Sequence, residues 1–153
     1  LRELRAAARE APFVELELAV QRRRGSWPSH ESSDPIALDL GPHLVDLAFW
    51  LSGADAARVA GQADAEHLSL ELELTGGRGV ARIACAFGPR YREVVRVRGL
   101  GSSVRGGLHS VFGDSPLVPS LALQLEAFVR GDPDVATAAD GLRVMRVLEC
   151  VTS

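Results

Sequence analysis

This sequence predicts an α+β domain: an open, mainly antiparallel β-sheet with helices packed on one face. Three observations carry that reading. Between residues 57 and 99, runs of alternating apolar and polar residues follow one another closely, separated by glycine-rich turns. Apolar stripes at helical spacing occupy both ends of the chain. Between the first strand and the others lies Leu38 to Leu51, a helix apolar on nearly every face, which belongs in a core.

Leu1, Leu4 and Ala8 mark the first helix, which Pro12 ends. Phe13 to Gln21 then alternates, with Val14, Leu16, Leu18 and Val20 on one face and Glu15 and Glu17 on the other. Residues 22 to 35 form a polar loop holding Trp27 and His30, long enough to contribute to a site. Ala57 to Ala65 reads as a weak strand, and Leu68, Leu70, Leu72 and Leu74 mark a strong one. After the turn at Thr75-Gly76-Gly77-Arg78-Gly79 come strands at Val80 to Phe87 and Arg92 to Gly99, and a short sixth after Ser102. Such spacing predicts a meander, with Glu71, Glu73, Arg82, Arg96 and Arg98 pairing across its strands. Ser115-Pro116 caps a helix whose stripe is Leu117, Leu121, Leu125 and Phe128, ending at Gly131. Thr137 and Asp140 form a capping box for the last helix, with Leu142, Met145, Val147, Leu148 and Val151 inward.

At 153 residues the chain is one domain, able to bury about 70% of its unfolded surface. Apolar content of 46% and charge of 24% describe an ordinary globular protein, and a net charge of −3 favours neither nucleic acid nor an anionic membrane. No apolar run approaches the roughly 18 residues of a membrane span. There is no lysine, so every one of the 17 basic residues is arginine, and no lysine-dependent step can occur within this chain. Cys85 and Cys150 lie far apart without metal or disulfide spacing and read as two buried small hydrophobes. The chain opens on an amphipathic helix, with neither signal peptide nor initiator methionine, so it reads as a cytoplasmic protein and as part of a longer one.

The chemistry concentrates in Asp39, His43 and Asp46. With Pro42 at the first helical position, Asp39 falls just outside the helix and Asp46 lies one turn beyond His43, roughly 5–6 Å away. An imidazole flanked by carboxylates suits general acid–base chemistry, one group moving a proton and another fixing its tautomer. A structural reading stands beside it: Asp39 caps the helix and His43 is a core histidine bonded to Asp46. A metal held by the same three residues is a further reading. His30, His67 and His109 are isolated, and no GxSxG, phosphate-loop or GxGxxG motif occurs.

Asp39-Leu40-Gly41-Pro42-His43-Leu44-Val45-Asp46, followed by Phe49-Trp50-Leu51-Ser52-Gly53, resembles the D-x-G-x-H-x-x-D segment and trailing W-L-x-G of the Gfo/Idh/MocA oxidoreductases. Leu121 to Gly131 and Thr137 to Ser153 resemble the family's closing helices, so the likeness spans residues 1–153 as that family's C-terminal half. The resemblance implies a substrate-binding and catalytic α+β domain whose Rossmann domain lies outside this chain. It implies an NAD- or NADP-dependent oxidoreductase acting on a sugar, polyol or related alcohol or ketone, inactive as this fragment alone. On that resemblance His43 would move the proton, Asp39 would assist it and Asp46 would support them; Asp46 and, from the polar loop, Trp27 are the residues expected to contact a small-molecule substrate. A homo-oligomer joined through the sheet is also implied. Two departures stand out: the family's catalytic lysine, from an E-K-P motif in the Rossmann half, has no counterpart here, and Ser33-Asp34-Pro35-Ile36-Ala37 replaces the usual glycines. They favour the rival expectation, a non-catalytic binding or dimerisation module that keeps the fold.

Overall fold

The computed structural model describes residues 2–22, 35–99, 102–106, 117–132 and 135–152. Helix α1 (Arg2–Glu10) leads into β1 (Val14–Arg22), then a single-turn α2 (Ile36–Asp39) and α3 (Gly41–Ser52). Strands β2 (Ala56–Ala63), β3 (His67–Leu74), β4 (Gly79–Phe87), β5 (Arg92–Gly99) and β6 (Ser102–Gly106) follow, then helices α4 (Leu117–Arg130) and α5 (Ala138–Thr152).

The strands form one six-stranded sheet in the order β2-β3-β4-β1-β5-β6. Every neighbouring pair is antiparallel except β1 and β4. The sheet is therefore mainly antiparallel, as the sequence predicts, but it is no simple meander. The first strand is inserted between the fourth and fifth. There β1 is hydrogen-bonded along both edges, and its buried Val14, Leu16 and Leu18 lie in the middle of the dry face. Gly79 makes the insertion possible. Its φ is +134°, and a Cβ there would stand 1.8 Å from the Val14 carbonyl oxygen, so only glycine fits where β4 meets β1.

One face of the sheet is dry. Leu16 and Leu18, the four leucines of β3, and Ala81, Ile83 and Cys85 of β4 are buried against Leu4 and Ala8 of α1, Ile36 of α2, Val45 and Ala48 of α3, and Val144, Val147 and Leu148 of α5. Each apolar side chain so buried contributes about 1.5–3 kcal/mol. Gly41 lets α3 come close: a Cβ there would lie 3.0 Å from Leu68 and 3.1 Å from Leu148 side-chain carbons. Arg78, in the β3–β4 turn, donates to the carbonyls of Ala8 (2.9 Å) and Ala11 (2.8 Å) and closes the C-terminal end of α1.

The capping box forms as read. The Asp140 carboxylate accepts from the Thr137 N–H at 2.7 Å, and the Thr137 hydroxyl accepts from the Asp140 N–H at 3.3 Å. Four readings are corrected. Leu142 and Met145 face out, because α5 lies on the sheet through Val144, Val147 and Leu148 instead. Leu125 and Phe128 are exposed, since α4 has no substantial packed face against any described element. Cys150 is exposed, whereas Cys85 is buried. The helix read from Leu38 to Leu51 is two: Leu38 and Asp39 close α2, and α3 starts at Gly41, so Asp39 does fall just outside it.

Candidate functional site

Three element ends meet around Asp39. β1 finishes at Arg22, α2 finishes at Asp39 itself, and α3 starts two residues later. Arg22 Nη2 and Asp39 Oδ2 form an ion pair whose side chains are 12% and 19% exposed. Cys85, on β4 beneath them, feels that surrounding. Burial first, and the Asp39 charge second, push its thiol up to about 12, so it stays protonated and is no nucleophile.

His43 is exposed, and no hydrogen bond joins it to Asp46. The core-histidine reading is thereby excluded. So is Asp39 as a helix cap: the N-cap of α3 is Leu40, with no side-chain cap bond. The apparent conflict of an apolar helix carrying charges resolves by geometry. Leu44, Val45, Ala48 and Phe49 take the buried side, and His43 projects from the other.

Asp46 is half-buried and faces α5. Burial raises its carboxyl above the usual carboxylate range and the charge of Asp140 adds to this, while Arg143 and His43 act the other way. Arg143 pairs with Asp140 and Asp55 and stands 5.8 Å from the centre of the Phe49 ring. Arg5 lies 4.5 Å over Trp50. Arg5, Asp46, Phe49, Trp50, Asp140 and Arg143 line a cleft of about 250 Å³ that Asp39 and His43 do not line. The structure therefore splits the predicted trio: Asp39 with Arg22 on one side, Asp46 with Arg143 and Asp140 on another, His43 exposed one turn before Asp46. Trp27 and His30 lie outside the described residues, as does His109. His67 is exposed at the start of β3, beside Asp64.

Sequence reasoning missed Arg22. The only signal was the arginine run closing β1, which read as loop. Among the described residues, no group of three or more His, Cys, Asp or Glu side chains converges as metal ligands would. No described helix is long and apolar enough to cross a membrane. Nor do the described residues offer a glycine-rich strand-to-helix turn to hold a pyrophosphate.

No protein-family model matches the chain, and no curated protein matches it in sequence. Solved structures do match it. GenD2 from gentamicin A biosynthesis, in complex with NAD, superposes with a TM-score of 0.75 over 98% of this chain and 56% of its own, at 17% identity. Scyllo-inositol dehydrogenase from Lactobacillus casei, with bound NAD(H) and scyllo-inositol, gives 0.69 over 97% of this chain and 57% of its own, at 13% identity. The WlbA (WbpB) dehydrogenase from Thermus thermophilus, with NAD and UDP-GlcNAcA, gives 0.68 over 96% and 49%, at 18% identity. The chain thus spans about half the length of the structures it matches. At these identities the likeness is one of fold. These neighbours are dehydrogenases of the Gfo/Idh/MocA type, and the chain has the fold of their C-terminal domain, an open sheet with its helices on one face.

Proposed function

We propose that this chain is the substrate-binding and proton-transferring domain of an NAD- or NADP-dependent oxidoreductase that interconverts a carbinol and a carbonyl on a sugar, polyol or related small molecule. The observation that carries the reading is the placement of Asp39 and His43 on the matched fold. A paired, largely buried carboxylate precedes an exposed imidazole by four residues, at the start of the helix that anchors the domain. An exposed imidazole can reach a substrate hydroxyl, as a core histidine could not.

In the oxidative direction, a neutral His43 accepts the hydroxyl proton as the carbinol carbon gives up hydride, leaving a carbonyl and an imidazolium. Bound nicotinamide supplies the hydride acceptor. A carboxylate near the new imidazolium favours it electrostatically, a task that falls to half-buried Asp46, whose charge interacts with His43, with Asp39 assisting. Arg22 is a positioning residue, holding the Asp39 carboxylate in one orientation. Trp27 completes the proposed substrate contacts. The dinucleotide is bound by a Rossmann domain that this chain joins, so the fragment alone is inactive. A homo-oligomer joined through the outer face of the sheet and a cytoplasmic location complete the proposal; the free thiols of Cys85 and Cys150 suit a reducing compartment.

The test is turnover in the intact protein. His43→Ala is expected to lower kcat by about 10²–10⁴-fold with little change in KM. Unchanged kcat would remove His43 from the mechanism. One observation favours a second reading, a non-catalytic binding module: the Asp39 charge is already met by Arg22, a pairing that needs no substrate. In that module Asp39→Asn and His43→Ala would leave small-molecule affinity unchanged, and no NAD-linked turnover would exist to lose.

A further inference from the structure

Asp46 stands on two boundaries at once. On α3 it follows His43 by one turn, with roughly 5–6 Å between their Cβ atoms. It also lines the cleft of about 250 Å³, with Arg5 and Arg9 of α1 on one side and Asp140 and Arg143 of α5 on another. His43 does not line that cleft. Asp39 does not line it either, and its carboxylate is tied to Arg22. Of the three acid–base groups, Asp46 is thus the one that borders both the imidazole's turn of helix and the cleft.

Each oxidative turnover proposed above leaves one proton on His43, and that proton has to reach water before the imidazole can act again. His43 is exposed in this domain, but its working side is the one that substrate and nicotinamide cover, and a covered site excludes water. The cleft offers a second way out. It has room for several waters, and Asp46, Asp140 and Arg143 supply polar groups to hold them. Arg143 is fixed between Asp140 and Asp55, so the wall of the cleft beside Asp46 is held in place. The carboxyl itself suits a group that is alternately charged and neutral. Burial first, and the Asp140 charge second, raise it, while Arg143 and His43 lower it, and the net direction is upward. It therefore takes a proton more readily than an ordinary surface aspartate.

We propose that Asp46 is a proton relay, carrying the proton that His43 takes from the substrate into the cleft between α1, α3 and α5. The assignment rests on the oxidoreductase reading and gives Asp46 a task beyond favouring the imidazolium. In the oxidative direction the carbinol O–H breaks and an N–H forms on His43 as hydride leaves the carbon. The imidazolium N–H then breaks, and its proton passes through one water to an Asp46 carboxylate oxygen, forming an O–H. That O–H breaks in turn toward water in the cleft, and carboxylate and neutral imidazole are both restored. One proton reaches solvent per hydride transferred, and reduction runs the same steps backward.

The experiment is kcat of the intact protein with and without added formate, in the wild type, Asp46→Asn and Asp46→Glu. Asp46→Asn is expected to lower kcat by about 100-fold with KM nearly unchanged, and formate should restore much of the loss. Asp46→Glu keeps a carboxyl and should retain most of the wild-type rate. A merely structural role would not respond to formate. Alongside, carbon NMR of the Asp46 carboxyl, in the intact protein without cofactor, should show it titrating above the usual carboxylate range. Full kcat in Asp46→Asn, a loss that formate leaves untouched, or a carboxyl titrating in the ordinary range would each overturn the relay. The two proposals fail separately. Turnover lost in His43→Ala but kept in Asp46→Asn sinks only the relay, whereas turnover indifferent to His43→Ala sinks the reading on which the relay stands.

Discussion

Arg22 and Asp39 are 17 positions apart, one closing a strand and the other closing a turn of helix, and the fold brings their charges together. Both side chains are mostly out of water, so desolvation opposes much of their attraction. Removing one partner is then worse than removing both. Arg22→Met is expected to destabilise the domain by about 3 kcal/mol, whereas Arg22→Met with Asp39→Leu recovers most of that loss. Urea denaturation of the four members of the cycle measures it; a double variant no better than Arg22→Met would show that the pair is not isolated. The helical spacing of Asp39, His43 and Asp46 marks them in the sequence as candidate site residues. Their separation was not legible, because it depends on α2 and α3 being two helices and on which face of α3 turns to solvent. Arg22 could not be found at all, since nothing in an arginine run says which of its members meets an aspartate.

At the scale of elements, local patterns were reliable and packing was not. Alternation located the strands of the sheet, and Thr137 with Asp140 announced the last helix through chemistry confined to one turn. The helices flanking residues 131 to 137 were misread for one reason. An apolar stripe says that a face wants covering but not whether this chain supplies the cover, so the stripe of Leu125 and Phe128 stands exposed, as do Leu142 and Met145, which the sequence reads as inward. The insertion of β1 between β4 and β5 was invisible for a related reason: alternation fixes a strand's faces and leaves its neighbours open. Gly79 carries that insertion. Gly79→Ala would force a side chain into the φ +134° backbone against the Val14 carbonyl, and is expected to cost at least about 1–3 kcal/mol. Thermal unfolding checks it, and an unchanged midpoint would mean that the junction of β1 and β4 is looser than its geometry says.

Across the whole molecule the two faces of the sheet have opposite characters. The inner face is dry and carries the helices. On the outer face one row reads Glu71, Arg82, Glu17, Arg96 over four adjacent strands, alternating in sign, with Arg82–Glu71 at 3.0 Å and Arg96–Glu17 at 2.7 Å. The next row is small: Ser69, Ala84 and Ala19 sit side by side and floor a shallow hollow of about 360 Å³. A flat face of self-satisfied charges beside a trough of small side chains can approach a second copy closely without stranding a charge, which is what the proposed homo-oligomer through the sheet requires. The exposed ion pairs themselves contribute little, about 0–1 kcal/mol each, so the trough should decide association. Ala84→Arg places a long cation in its floor and is expected to weaken self-association of the intact protein at least tenfold, while Arg82→Gln changes it much less. Sedimentation equilibrium over a range of concentrations measures both. A protein that stays monomeric throughout, or a dimer indifferent to Ala84→Arg, would assign the outer face to solvent and leave α4 as the surface that must be covered.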